Sequence, residues 1–541
     1  MKRKYLLALA FSLSLGASYA QGEMDAYKFS RNDLTGTARS LSMGGAFGSY
    51  VGGDISAIAI NPAAIGEYNR SEVVTTLNFM NTRMESNLGG NTQTENKFKV
   101  RFDNLAFVST FPLQSDVAPF LNFGFSYNRL KTFDRQYSMG GNTRNSLSDY
   151  MVTRADGWQT SDLSLNSNPQ AWRNTDWLPV LGFNSGLITN RNNSTDRYVS
   201  TTRNSGGNRV LTPYSQLFNQ ERGSINTYDF NLGTTFSDMV SFGFTVSMTD
   251  INYRMYSIYS EDFANGNNQG FFDLENWLRT DGTGWQVKTG LVFKPIHQLR
   301  IGVAYHSPTW YHMTDYYAAD IQHDISALRG TATNIPTDYQ PGRVESFDGN
   351  GDGITDYRLR TPDKWSFNIT GVIGQRAIIS ADYELTNYRN NMRLHDNNGR
   401  ALASGDADPN NLIEQDFRNS STLRIGAEIR ITPLFSGRVG YSWVQSPLVA
   451  EFRNNDFEVF TVGSVPHYTL DGDTHYITYG LGYRLTSHFY TDVAFVMTSQ
   501  KDDLYTFSRV LDNSGNDIVT PDRISLKTNR FQGLLTLGYR F

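Results

Sequence analysis

The chain has 541 residues, a formal net charge of −5 and no cysteine, and 39% of its residues are hydrophobic. The slightly acidic balance argues against a nucleic-acid partner, because binding phosphate backbones requires an excess of cations. The absence of Cys excludes disulfides, thiol catalysis, Cys-ligated zinc and a lipidated amino terminus.

Residues 1–20 have the three-part pattern of a secretory signal peptide. Lys2, Arg3 and Lys4 precede an apolar run over residues 5–16. The small residues Ser18 and Ala20 then mark a cleavage site after Ala20. We therefore expect cleavage there and a mature chain that begins at Gln21. An uncleaved anchor helix is disfavoured, since the apolar run is too short to span a bilayer.

After this leader, the dominant pattern is a strict alternation of apolar with small or polar residues. Leu423, Ile425 and Ile429, for example, alternate with Arg424 and Glu428. No later stretch approaches the roughly 20 apolar residues of a spanning helix, whereas segments of about ten alternating residues suit tilted membrane strands. Fourteen such segments are predicted, at residues 73–81, 102–111, 121–130, 224–236, 240–251, 284–293, 299–307, 364–373, 377–388, 421–431, 435–444, 475–485, 489–499 and 530–541.

The connections between these segments alternate between short and long. An even strand number with this asymmetry indicates an all-β protein, a 14-stranded antiparallel transmembrane β-barrel in the outer membrane of a Gram-negative bacterium, with both termini periplasmic. The excursion over residues 131–223 is then an extracellular loop. The short, periplasmic connections are predicted at residues 237–239, 294–298, 374–376, 432–434 and 486–488.

The last predicted strand places Phe531, Leu535, Leu537, Tyr539 and Phe541 on one face. An alternating strand that closes on Tyr539 and Phe541 resembles the signal read by the barrel-assembly machinery, which is therefore an expected partner together with outer-membrane lipid. A soluble edge strand is the alternative, but it leaves an apolar edge exposed to aggregation.

Residues 22–70 do not alternate, and instead form a small-residue stretch rich in Gly that ends in an Asn-Pro-Ala element. Here the sequence resembles the FadL/TodX family of outer-membrane transporters for hydrophobic compounds. The resemblance implies an N-terminal hatch folded inside the barrel lumen. A flexible periplasmic linker is the alternative, although four isoleucines suit packing better. The residues expected to form or gate the hatch are Gly36, Ala38, Arg39, Gly44, Gly45, Asn61, Pro62 and Ala63.

The resemblance divides the chain into a signal peptide (1–20), a hatch (21–70) and a barrel with long extracellular loops (71–541). It implies a monomeric channel for passive uptake of hydrophobic or amphipathic small molecules such as long-chain fatty acids, gated by the hatch. Such a ligand would leave through a gap in the wall or into the periplasm. The alternative function is an outer-membrane adaptor that shuttles secreted protein cargo, as barrels similar to this family do in type nine secretion.

A cluster around residues 305–312 lies where a strand leaves the membrane on the loop side. His306, Trp310 and Tyr311 are candidate ligand-binding residues at the lip of the lumen. The competing interpretation is an aromatic girdle, because Trp and Tyr favour membrane surfaces.

A loop rich in Asp and Gly resembles part of a calcium-binding loop. Asp348, Asn350, Asp352 and Asp356 occupy positions one, three, five and nine of that pattern, but position twelve is Leu359. Structural calcium in an extracellular loop and an ordinary polar turn both remain open. No other cofactor is expected.

Catalytic motifs are absent from the sequence. None of the eight His is followed by Glu, and no nucleophile elbow, Walker loop or dinucleotide fingerprint occurs. The chain is therefore not expected to be an enzyme. A membrane-embedded hydrolase would need a Ser or Asp dyad at the barrel rim that the sequence does not indicate.

Overall fold

The computed structural model describes residues 21–49, 54–328, 340–346, 353–374, 376–402, 408–512 and 514–541. The predicted signal peptide lies outside these ranges. Fourteen long strands form the wall: β1 Glu72–Leu88, β2 Asn91–Pro112, β3 Phe120–Thr132, β4 Pro213–Phe236, β5 Val240–Asn265, β6 Asn268–Ile296, β7 Leu299–His306, β8 Lys364–Ile373, β9 Ala377–Thr386, β10 Ser420–Arg430, β11 Phe435–Val444, β12 Thr474–Arg484, β13 Phe489–Tyr505 and β14 Ile524–Arg540.

Each wall strand pairs antiparallel with the next, and β14 pairs with β1 from Glu72↔Arg540 to Asn87↔Ser525. The sheet is thereby closed, and each of the fourteen predicted segments overlaps one wall strand. The predicted 14-stranded antiparallel barrel is confirmed. Closure is what allows strands to cross lipid, because it leaves no edge of unpaired N–H and C=O groups.

Side chains along each wall strand alternate between lipid and lumen. On β12, Ile477 and Leu481 are 59% and 50% exposed, whereas Thr478 between them is 2% exposed. Aromatic side chains mark the upper limit of the apolar band, as in the stacked pair Trp285 and Trp310, whose ring centroids are 4.3 Å apart. The outer surface is thus apolar at the level of the membrane and the lumen is polar.

Several wall strands continue well beyond the predicted segments. β5 and β6 have 26 and 29 residues and meet in a tight turn at Gly266, so the hairpin projects above the membrane. Residues 252–283, expected to form a loop, are instead mainly strand. The predicted strands end where the outward-facing residues become polar. The backbone hydrogen bonds between β5 and β6 continue past that point, because they do not depend on the polarity of the outer face.

The excursion between β3 and β4 is folded rather than an open loop. A strand at Arg135–Asn142 pairs with β4, and a helical cap follows it. Leu147, Met151 and Leu181 belong to a buried apolar cluster that joins the cap to the tops of the strands. The cap contains helices Leu147–Ala155, Thr160–Leu163, Ala171–Asn174 and Trp177–Asn184, strands Ile188–Asn190 and Tyr198–Ser200, and the 3-10 turn Arg191–Asn193.

The remaining short elements belong to the other extracellular loops. Trp310–Asp324 extends the line of β7 upward and pairs with β6. The helices are Tyr388–Asn391, Pro409–Asp416 and Ala450–Arg453, with the 3-10 turn Ser326–Leu328. The other strands are Gly342–Glu345, Ile354–Arg360, Arg393–Asp396, Tyr468–Leu470, Val510–Leu511 and Asp517–Val519.

The segment before β1 lies inside the barrel. It forms α1 (Glu23–Ser30), α2 (Ala38–Ser42), α3 (Ile55–Ile60) and the 3-10 helix Pro62–Glu67. Asp54 and Asn61 cap the last two helices through their side chains. We call the described residues 21–49 and 54–70 the hatch. In the described ranges, no helix combines the length and apolar character needed to cross a bilayer.

The seam that closes the barrel supplies the first testable prediction. The Arg540 guanidinium lies 2.7 Å from a Glu72 carboxylate that is fully buried, and Tyr490 donates a hydrogen bond to the same oxygen at 2.9 Å. We expect Arg540→Ala to lower the free energy of unfolding by about 2 kcal/mol, because it leaves a buried charge without its main partner. Urea unfolding in lipid vesicles measures this.

Arg83→Ala is the matched control, since Arg83 pairs with Glu85 at 3.4 Å on the exposed surface. That pair is expected to contribute less than about 1 kcal/mol. Equal losses for the two variants would contradict the role assigned to the buried pair.

Candidate functional site

The hatch is fastened to the wall by hydrogen bonds as well as by apolar packing, since Met43 and Ile65 of the hatch share a buried apolar cluster with Val108 of the wall. The amides of Phe47 and Gly48 donate to Asp382 at 2.8 and 2.9 Å, and the Ala38 amide donates to Thr536 at 2.8 Å. At the periplasmic end, the Asn122 amide group donates to the Ile65 carbonyl at 2.8 Å. These partners lie on strands all around the cylinder, so the hatch is held in the middle of the bore.

Close approach between hatch and wall depends on glycine. Gly44 has φ +66°, and a Cβ there would lie 2.8 Å from the Tyr441 amide nitrogen. On the wall, a Cβ at Gly440 would lie 2.1 Å from the Met43 carbonyl carbon. Glycine therefore allows the hatch backbone to rest directly on the inner wall, and its αL conformation suits the turn after α2.

Arginine side chains inside the bore are paired with carboxylates. Arg438 bridges Glu428 and Asp492 at 2.5 and 2.6 Å, and Arg39 of the hatch approaches Glu428 at 3.4 Å. Arg424 pairs with Glu384 at 3.0 Å. The contacts of Arg438 and Arg39 link α2 to three wall strands, β10, β11 and β13. Such pairing of charges is common in polar barrel interiors.

A cavity of about 150 Å³ lies between α1 and the extracellular loops. We call it the lumen cavity. Tyr27, Phe133, Met255 and Leu278 contribute apolar and aromatic surface to its lining. The lining also carries five cations, Lys28, Arg31, Lys131, Arg135 and Arg530, and five anions, Asp25, Asp33, Glu221, Asp471 and Asp502. Its chemistry is therefore amphipathic rather than purely apolar.

Most charges around the lumen cavity are paired, and one cation is not. Arg135 contacts both Glu221 oxygens at 2.7 and 2.8 Å, and Arg31 pairs with Asp471. Lys131 makes no ion pair with a described carboxylate; its amine donates to the Lys28 carbonyl at 2.5 Å and lies 5.0 Å from the centre of the Phe133 ring.

Several buried polar atoms at the lumen cavity lack a hydrogen-bond partner among the described residues. They are the Tyr253 hydroxyl, the Thr498 hydroxyl, His467 Nδ1 and Arg530 Nε. The side chains of Tyr253 and His467 are 0% and 7% exposed. Buried polar groups normally have hydrogen-bond partners, so these atoms indicate a place that accommodates the polar groups of a ligand.

The titration of hatch carboxyls follows their surroundings. Burial alone would raise the pKa of Asp33, but Arg530, Lys131 and Arg31 outweigh it and hold that pKa below its ordinary value. Burial and the nearby Asp416 raise the pKa of Glu23 well above its ordinary value. Asp33 is thus an anion that fastens the segment after α1 to β14, whereas Glu23 is favoured in its neutral form.

One place in the wall lacks a backbone ladder among the described residues. β2 pairs with β3 only from Asn104↔Asn128 to Pro112↔Phe120, toward the periplasmic end. Beyond that, the strand at Arg135–Asn142 pairs with β4 instead. We call the gap between residues 91–103 and 131–142 the lateral seam. Arg101 and Asp134 bridge it at 2.7 Å, and the outward Phe98 on its edge is 63% exposed.

The predicted site residues fall into three groups in the structure. Gly36, Ala38, Arg39, Gly44 and Gly45 lie together around α2, facing β10 to β14. In the second group, Asn61, Pro62 and Ala63 contact wall glycines on β5 to β7: a Cβ at Gly290 would lie 1.9 Å from Asn61 Oδ1, and one at Gly243 would lie 2.0 Å from the Pro62 carbonyl oxygen.

The third group, the candidate ligand residues, is not brought together. His306 Nε2 lies 3.0 Å from the Ile60 carbonyl of the hatch, and Tyr311 is buried inside the wall. Trp310 lies on the outer face against Trp285, in the position of a girdle residue.

The residues of the predicted assembly signal, Tyr539 and Phe541, stack on each other on the outer face, with ring centroids 6.2 Å apart.

Three residues of the possible calcium loop, Asp348, Asn350 and Asp352, lie outside the described residues. Asp356 is on the strand Ile354–Arg360 and accepts a hydrogen bond from Thr314 at 2.6 Å. In the part of the chain that the structure describes, no three His, Asp or Glu side chains are grouped as metal ligands.

Comparison with known proteins identifies the family. The model of the outer membrane transport protein family OMPP1/FadL/TodX matches residues 14–517, and the chain belongs to this family. It is therefore an outer-membrane transport protein and not an enzyme. Comparison with curated protein sequences gives no match.

Several solved structures are similar to this chain at low sequence identity. A FadL homologue from Pseudomonas aeruginosa is 15% identical, with TM-score 0.49 over 94% of this chain and 99% of that chain. The toluene transporter TodX from P. putida is 12% identical, with TM-score 0.48 over 94% and 99%. The toluene transporter TbuX from Ralstonia pickettii is 14% identical, with TM-score 0.43 over 93% and 98%.

The glycine contact between hatch and wall predicts a leak. We expect Gly440→Ala to displace the turn after α2, because the new methyl group would overlap the Met43 carbonyl, and to raise ion conductance in planar bilayers severalfold. Gly371→Ala is the control, since a Cβ there has open space around it. Equal conductance of Gly440→Ala and the unaltered protein would contradict this fastening.

His467 predicts an acid-dependent loss of stability. Burial, together with Lys28 and Arg135, lowers the pKa of His467 to about 4 despite Glu221. Below about pH 6.5 the unfolded chain binds a proton that the folded site rejects, so stability falls between pH 6.5 and 4 by up to on the order of 3 kcal/mol. His467→Asn should lessen that fall in thermal unfolding scans; an unchanged acid dependence would contradict it.

Proposed function

We propose that the chain is a passive channel for hydrophobic or amphipathic small molecules, such as long-chain fatty acids, and that the hatch is its gate. The lumen cavity is the observation that carries this proposal. It combines aromatic surface with a cation that lacks a carboxylate partner and with buried hydroxyl donors, which suits an acyl chain that ends in an acceptor-rich headgroup. Transfer of such a chain from water gains roughly 0.8 kcal/mol per buried CH₂, so capture needs no energy source.

The proposed path has two parts. A ligand enters through the extracellular loops into the lumen cavity, where Lys131, Tyr253 and Thr498 receive its headgroup. The ligand then leaves past a displaced hatch, or through the lower end of the lateral seam, between residues 101–103 and 131–134, into the interface of the outer leaflet. The seam is supported as an exit by its position, since Lys131 and Phe133 line the lumen cavity while the neighbouring Asp134 closes the seam to Arg101.

A hatch that must move can be locked by a disulfide. The chain has no Cys, so two introduced residues form the only possible pair. Ser49 Oγ of the hatch lies 3.0 Å from Thr370 Oγ1 of β8. We expect Ser49→Cys with Thr370→Cys, once oxidised, to abolish uptake of a fluorescent fatty acid into vesicles, and reduction to restore it.

Ser148→Cys with Ser200→Cys is the matched control, because those hydroxyls are 2.9 Å apart and join two elements of the extracellular cap without the hatch. Uptake by this variant should not depend on oxidation. Normal uptake through the oxidised hatch variant would show that the hatch is not the gate.

The lateral seam predicts a second effect on transport. Arg101→Ala with Asp134→Ala removes the ion pair across the seam, where Glu95 also accepts hydrogen bonds from Gln136 and Ser138. We expect transfer of the fluorescent fatty acid from the lumen into the bilayer to become severalfold faster. Arg83→Ala with Glu85→Ala removes an equal number of charges from the outer surface of β1 and should leave the rate unchanged. A slower or unchanged rate in the first variant would contradict the seam as an exit.

A further inference from the structure

Three arginines lie side by side on the outer surface above the apolar band. Arg222 on β4 is directly opposite Arg254 on β5, and Arg254 is directly opposite Arg279 on β6. All three are exposed and point outward. We call them the arginine row. Adjacent strands are about 4.8 Å apart, so the three side chains form one continuous cationic strip.

The arginine row is electrostatically unfavourable without an anionic partner. Like charges directly opposite each other on neighbouring strands destabilise a sheet. Arg279 is paired with Asp281 at 2.5 Å, but within the described ranges no carboxylate forms an ion pair with Arg222 or Arg254. Lys97 adds a further cation beside Arg222, where its amine donates to the Glu221 carbonyl at 3.3 Å. The strip therefore has an excess of positive charge.

Aromatic side chains border the arginine row on the side away from the membrane. Trp277 is directly opposite Tyr256, with ring centroids 5.7 Å apart, and it is 38% exposed. The Arg279 guanidinium lies over the Tyr316 ring at 5.3 Å. Rings of this kind pack well against the C–H faces of sugars. Cations and aromatic rings on one surface suit a saccharide that carries phosphate.

The height of the arginine row indicates which layer of the membrane it meets. Arg254 is six positions beyond Met248 on β5, and Arg279 is six positions from Trp285 on β6. At about 3.3 Å per residue and a strand tilt of about 40°, this is roughly 15 Å above the edge of the apolar band. The headgroup layer of a simple phospholipid is only about 5 to 8 Å thick, so a lipid with a large polar headgroup is required.

We propose that the arginine row is a binding site for the phosphate groups of an anionic glycolipid in the outer leaflet. The planar guanidinium fork binds phosphate oxygens in pairs, and several such contacts on one rigid sheet orient a polyanionic headgroup. The site faces lipid rather than the lumen. Its existence does not depend on the transport proposed above, since no residue of the row lines the lumen cavity.

The test is binding of lipid A to the purified full chain in neutral detergent, followed by native mass spectrometry. We expect the unaltered protein to retain lipid A with two phosphates and to bind dephosphorylated lipid A roughly tenfold or more weakly. Arg222→Gln, Arg254→Gln and Arg279→Gln together should weaken binding of the phosphorylated lipid by a similar factor, equivalent to about 1.4 kcal/mol or more. Raising the salt concentration should weaken only the binding that depends on the row.

Arg144→Gln, Arg197→Gln and Arg523→Gln together form the charge-matched control. These three arginines lie in the extracellular loops with side chains 65% to 69% exposed, so their removal changes net charge equally. The control should bind as the unaltered protein does. Equal binding of phosphorylated and dephosphorylated lipid A by the unaltered protein would overturn the proposal without any variant. So would equal losses in the two triple variants, or full binding by the variant that lacks the row.

Discussion

The structure depends on one constraint, that backbone N–H and C=O groups cannot remain unpaired in hydrocarbon. Pairing β14 with β1 meets it by closing the sheet. Closure at fourteen strands then fixes a bore that wall side chains alone cannot fill. The hatch fills the part of the bore that the wall side chains leave empty. Its helices occupy the bore, and its backbone reaches wall positions where glycines such as Gly440 and Gly290 leave room.

The hatch contacts the wall through both hydrogen bonds and apolar packing. Asp382, Thr536 and Asn122 hold the hatch through hydrogen bonds, and a polar wall can exchange such bonds for water. A typical bond of this kind contributes only about 0.5 to 1.5 kcal/mol net, so a local shift costs little at each point. Many such contacts together hold the hatch in place. The apolar clusters that the hatch shares with the wall oppose such a shift, because separating them exposes their contact surface to water.

The sequence predicted the wall well because lipid and lumen impose a period of two on every spanning segment, as in Ile477, Thr478 and Leu481. It predicted the hatch through a family resemblance carried by residues such as Arg39 and Asn61. The upper parts of β5 and β6 escaped prediction, since both of their faces become polar while the ladder continues. The lumen cavity and the lateral seam escaped it too, because they bring together residues such as Arg101, Lys131 and Thr498 from distant parts of the chain. Inward wall glycines, such as Gly440 opposite Met43 and Gly290 opposite Asn61, were a local signal of hatch contact.

The lateral seam and the arginine row are neighbours on the barrel. Lys97 lies on the edge of the lateral seam and donates to the Glu221 carbonyl, and the next residue, Arg222, begins the arginine row. A glycolipid held by that row would therefore place its headgroup beside the seam, near Lys97. A ligand that left sideways would enter a lipid neighbourhood arranged by the protein itself.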